Sequence, residues 1–146
     1  MNQKYVIDAN VLFSAFISGK ELYHLLCSEH TIYLPDYAFT EIEKYKQRIL
    51  KKTTLNEQQF QEFVLRLLNK VTVIPNLLLS QASLKQAYQL CREIDEKDTV
   101  YVAVAIELGI TLITNDKILY DGLQERHFSH VTLLKDIIDQ LPSIEG

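Results

Sequence analysis

The chain has 146 residues, 47% of them apolar and 23% charged, and a formal net charge of −4. That is the size of one compact domain, residues 1–146, able to bury roughly 68–70% of its unfolded surface, and its ordinary globular composition excludes disorder. No tract approaches the roughly 20 apolar residues that span a bilayer; the run Tyr5-Val6-Ile7 stops at Asp8, too short for the core of a signal peptide; and Cys27 and Cys91 are expected to be reduced core residues of a cytoplasmic protein.

In chain order, Lys4–Asp8 is expected to be a short buried strand ending on a polar residue. A helix follows from about Val11, breaks near Gly19 and resumes to about Ser28. His30–Leu34 is a second β-like run closed by Pro35, and Tyr37 to about Lys52 reads as a helix. Thr54-Leu55-Asn56-Glu57 has the form of a capping box, a hydroxyl at the helix start with Glu three residues on. The helix it opens carries Phe60, Phe63, Val64, Leu67 and Leu68 on one apolar face, serving either the core or a partner or dimer interface. Val71–Ile74 is a third strand, stopped by Pro75. Ser80 caps a helix to about Ile94, and Asp98 opens another through Leu108. Gly109 sits where a helix C-terminus favours a left-handed residue. Ile110–Thr114 is the fourth strand and His130–Leu134 the fifth, followed by a short C-terminal helix.

Strands alternating with helices imply an α/β fold: a three-layer α/β/α sandwich around a central, mainly parallel sheet of about five strands. In such sheets ligands bind beyond the carboxyl ends of the strands. Asp8 ends the first strand, Asp116 lies just past the fourth, Asp98 opens the helix before that strand, and Glu41 lies early in the helix after the second. Each acid alone has an ordinary explanation: a strand-end turn, a solvated helix charge, an N-cap, an Asn-Asp turn pair. Together they are expected on one edge of the sheet. Converging carboxylates repel and are driven toward their neutral forms. A hard divalent cation, Mg²⁺ or Mn²⁺, removes that conflict and suits phosphodiester hydrolysis.

These segments resemble the PIN-domain nucleases over nearly the whole chain. Val6-Ile7-Asp8-Ala9-Asn10-Val11-Leu12 is similar to the family's first motif, a strand followed by Asp-x-Asn and a helix, and Phe39-Thr40-Glu41-Ile42 to its second. The most specific stretch runs from Ile94-Asp95-Glu96-Lys97-Asp98-Thr99-Val100-Tyr101 to Leu112-Ile113-Thr114-Asn115-Asp116, where a helix and then a strand separate two acids. The resemblance implies a Mg²⁺- or Mn²⁺-dependent ribonuclease. Many members are toxins of the VapC type, held inactive by an antitoxin protein, and homodimers are expected. It also implies that Asp8, Glu41, Asp98 and Asp116 bind metal and that Asn10 and Thr114 support them. Asp95 either helps to hold the metal or caps the helix; the cap is the preferred reading.

Lys44, Lys46, Arg48, Lys51 and Lys52 follow Glu41. Arg48 and Lys52 share its helical face, so a basic stripe leads away from the acids, either to track an RNA backbone or as a solvated face. Lys44 and, beside Asp116, Lys117 are further phosphate contacts or plain surface lysines. Tyr37 and Tyr45 either stack on bases or are buried. His127 and His130 lack partners for a zinc set and read as loop. Two rivals remain: a non-catalytic RNA- or protein-binding module, and an aspartate-based phosphatase or phosphotransferase. The latter wants Asp-x-Asp after the first strand, where this chain has Asn10.

Overall fold

A computed structural model describes residues 2–142. Five strands form one sheet: β1 (Lys4–Ile7), β2 (Thr31–Pro35), β3 (Val71–Ile74), β4 (Thr111–Thr114) and β5 (Val131–Leu133). Their order is β3-β2-β1-β4-β5, and every pairing is parallel. The sheet is therefore wholly parallel. The central strands show why: Val6, Ile7, Leu112 and Ile113 are all buried, as strands covered on both faces require.

Among the described residues seven α-helices make the crossovers, α1 (Ala9–Ser18), α2 (Glu21–Glu29), α3 (Tyr37–Lys52), α4 (Glu57–Leu68), α5 (Gln81–Cys91), α6 (Thr99–Leu108) and α7 (Lys117–Glu125), and an eighth, α8 (Leu134–Ile138), follows the last strand. The chain steps one way from β1 to β3, then crosses to the other side of β1 for β4 and β5. With right-handed connections, α1–α4 fall on one face and α5–α7 on the other. α6 lies across β1, β2 and β4, and α5 packs over it. That position explains its sequence. Tyr101 to Ala105 are consecutive and all buried, so α6 is covered all round over that stretch. The expected three layers are the observed ones.

Several local expectations shift. β1 ends at Ile7, and Asp8 instead caps α1, its Oδ1 accepting from the Val11 N–H at 3.0 Å. Pro35 belongs to β2, paired opposite Ile74. The capping box of α4 is Asn56 with Gln59 rather than Thr54 with Glu57. The helix that Ser80 caps ends at Cys91, short of Ile94. Helix α7 had no place in the sequence reading, and the Asp116 carboxylate caps it. Gly109 is left-handed at the end of α6, as expected.

α1 and α3 matter most for the site. Both start at the carboxyl edge of the sheet, pack against each other, and are tied at their far ends. The Thr53 hydroxyl donates to the Phe16 carbonyl at 2.8 Å. The Thr54 N–H donates to the Ile17 carbonyl at 2.9 Å, and its hydroxyl to the Ser18 carbonyl at 3.0 Å. Thr54 thus joins two helices where it was expected to cap one. Cys27 and Cys91 are buried and free, and burial pushes their thiols up to about 11 and about 12, so both stay protonated. Among the described residues no helix is long and apolar enough to cross a membrane.

Candidate active site

A cleft of about 460 Å³ opens at the carboxyl edge of the sheet. Glu41, Asp95, Asp98 and Asp116 line one end of it, and Asp8 lies beneath them, 1% exposed. No histidine or cysteine lines it.

The chain positions each acid by a different local device. Asp8 follows a strand and caps a helix, and its Oδ2 accepts from the Thr114 hydroxyl at 2.5 Å. The same hydroxyl accepts from the Asp116 N–H at 3.0 Å. Asp116 Oδ1 in turn accepts from the N–H groups of Ile118 and Leu119 at the start of α7. Glu41, in the second turn of α3, accepts at 2.6 Å from the hydroxyl of Tyr101, one turn after Asp98 on α6. Asp95 caps the short 3₁₀ turn Glu96–Asp98, accepting from the Lys97 N–H at 3.0 Å. Asp98 stands at the N-cap position of α6 but its side chain makes no capping bond, so its carboxylate is left to the cleft.

The electrostatics couple these groups. Burial pushes Asp98 up to about 7, and the charges of Asp8, Asp95, Asp116 and Glu41 add to the rise. Burial also pushes Asp8 up to about 6, against the hydrogen bonds from Thr114 and Val11 that favour its charge. Burial and the neighbouring Glu41 raise the Tyr101 phenol far above its ordinary value, so it remains a donor. The acids share one field without forming a closed cage. Among the described residues no three acidic, histidine or cysteine side chains are grouped to hold an ion as they stand. Like charges push apart, and Asp8, Glu41 and Asp116 are each held by a nearby donor instead. The donor set is carboxylate oxygen alone, which fits a hard divalent cation.

The basic residues divide. Arg48 lines the cleft, and so does Asn10. Lys44, Lys52 and Lys117 do not line it. Lys44 lies against the Tyr45 ring, 5.4 Å from its centre, and Lys117 pairs with Asp121 at 3.2 Å. Lys97, which the sequence reading passed over, does line the cleft. Its position beside Asp98 was the available signal, as the three-residue step from Asp98 was for Tyr101.

A wholly parallel α/β/α sheet with four carboxylates lining a cleft at its carboxyl edge defines the class: an α/β protein with an acidic site. The sequence pattern of the PIN domain matches residues 6–135. The chain belongs to the PIN-domain family, whose members are generally nucleases. Two solved structures share its fold. PAE2754 from Pyrobaculum aerophilum is 14% identical, with 94% of this chain and 88% of that one covered and a TM-score of 0.65. VapBC2 from Rickettsia felis, bound to a DNA fragment from their promoter, is 18% identical, with 90% and 97% covered and a TM-score of 0.57. No curated protein matches the sequence.

Proposed function

We propose that this chain is a Mg²⁺- or Mn²⁺-dependent endoribonuclease that hydrolyses phosphodiester bonds of single-stranded or structured RNA in the cytoplasm. The observation that carries the reading is the gathering of Glu41, Asp95, Asp98 and Asp116 around one cleft that no histidine or cysteine lines. Asp98, Asp116, Glu41 and Asp8 would hold the ion, which when bound supplies Lewis acidity and neutralises charge on a phosphodiester. Thr114 fixes Asp8, Tyr101 fixes Glu41, and Arg48 and Lys97 offer positive charge to neighbouring phosphates. An aspartate-based phosphatase is disfavoured because the residue two after Asp8 is Asn10 and not a second aspartate.

The same reading makes the chain the toxin of a toxin–antitoxin pair, acting as a homodimer. Supporting a protein partner are apolar side chains left in solvent, Leu77 at 89% exposure, Ile118 at 76% and Leu78 at 56%. The test is incubation of single-stranded RNA with Mg²⁺ or Mn²⁺, with and without chelator. Cleavage is expected only with free metal. Asp98→Asn and Asp8→Asn are each expected to abolish it while circular dichroism stays unchanged. Both variants cutting at the wild-type rate would sink the assignment.

A further inference from the structure

Away from the acids the cleft changes character. Glu41, Tyr45, Arg48 and Ile49 present one face of α3 to it, and Phe13 and Ile17 one face of α1. At about 1.5 Å of rise per residue, Tyr45 stands about 6 Å and Arg48 about 10 Å along α3 from Glu41. Phe13 and Tyr45 meet edge to face, ring centres 5.6 Å apart at 62°, and both are half-buried. Ile17 and Ile49 extend this apolar wall. Binding a cation and a phosphate makes no use of such a surface. A nucleobase does, because every base has an apolar face that stacks on aromatic side chains. In a duplex those faces are covered by neighbouring pairs, so the wall selects an unpaired base.

We propose that Phe13 and Tyr45, with Ile17 and Ile49, form a nucleobase subsite for an unpaired base of a strand whose scissile phosphate lies at the acids, with Arg48 on a phosphate beyond it. The proposal rests on the nuclease reading of the cleft.

The test is a chemical-deletion cycle. A short labelled single-stranded oligoribonucleotide is titrated by fluorescence anisotropy in Ca²⁺, its integrity checked on a gel, with one abasic nucleotide moved position by position. One position is expected to cost the wild type about tenfold in affinity. Tyr45→Ala loses a similar factor on the intact strand and nothing further at that position. Tyr45→Leu, which keeps apolar bulk without an aromatic face, behaves likewise and serves if the alanine variant does not fold. Tyr45→Phe retains the abasic penalty. A penalty of equal size in wild type and both the alanine and leucine variants overturns the proposal, as does a wild type indifferent to every abasic position. If that indifferent wild type still cuts RNA in Mg²⁺, only the base subsite fails; if it neither binds nor cuts RNA, the nuclease reading fails with it.

Discussion

The hydroxyl of Thr114, the last residue of β4, donates at 2.5 Å to the carboxylate of Asp8, 106 residues earlier in the chain. It also accepts the N–H of Asp116. One fully buried oxygen thus sets the side chain of one acid and the backbone of another. Thr114→Val keeps the shape and leaves both groups unpaired, so it is expected to cost about 1–3 kcal/mol of stability and to depress cleavage. Thr114→Ser keeps the hydroxyl and is expected to restore both. Thermal melting and the RNA assay read the two effects; a valine variant that melts and cuts like the wild type would deny the bond any role.

The acids also predict how stability follows pH. With Asp98 raised to about 7 and Asp8 to about 6, the folded chain holds more protons than the unfolded one from the ordinary carboxylate range up to those values. Stability contributed by these groups is therefore present at low pH and lost as pH climbs from about 4 to about 7, on the order of 3 kcal/mol for Asp8. Metal-free protein should gain stability relative to Asp98→Asn as pH is lowered from about 8 to about 5. Added Mg²⁺ or Mn²⁺ should stabilise the wild type most near pH 8. Parallel melting curves for wild type and variant across that range would contradict the coupling.

Tyr101 reaches Glu41 from a different helix with a 2.6 Å bond. Removing only the hydroxyl, in Tyr101→Phe, frees the Glu41 carboxylate to turn. Residues that orient metal-binding carboxylates are worth about 10- to 100-fold in metal affinity or activity, so the metal concentration for half-maximal cleavage should rise. Affinity for RNA measured without divalent ion should not change. A variant with unaltered metal dependence would reduce Tyr101 to a core residue.

Arg48 and Lys97 line the cleft, whereas Lys52 and Lys117 do not. Arg48→Ala and Lys97→Ala should each weaken RNA binding across sequences and reduce its logarithmic salt slope by about 0.7, the value for one phosphate contact on a single strand. Lys52→Ala and Lys117→Ala should leave the slope alone. Equal effects from all four would mean that RNA is held by general charge outside the cleft.

Strands β1 and β4 and two of the acids were legible because they share one signal, an apolar run ended by a carboxylate: Ile7 before Asp8, and Ile113-Thr114 shortly before Asp116. Residues that owe their place to tertiary contact were not. Thr54 and Asn56 are both good caps on propensity, and only the approach of α1 decides that Thr54 turns to Ser18 and leaves the box to Asn56. Lys117 carried a warning that was passed over, since Asp121 stands four residues on, within ion-pair reach on a helix. Arg48 and Lys52 differ in where α3 ends. The helix outruns the cleft, and Lys52 lies in its final turn beside the Thr53 tie. Nothing in local spacing gives that length.

The threonine tie between α1 and α3 has a mechanical consequence. Two walls fastened at the back cannot be prised apart by what enters at the front. Removing one strand of that fastening, as Thr53→Val does, would loosen the back of the cleft while leaving every acid in its seat.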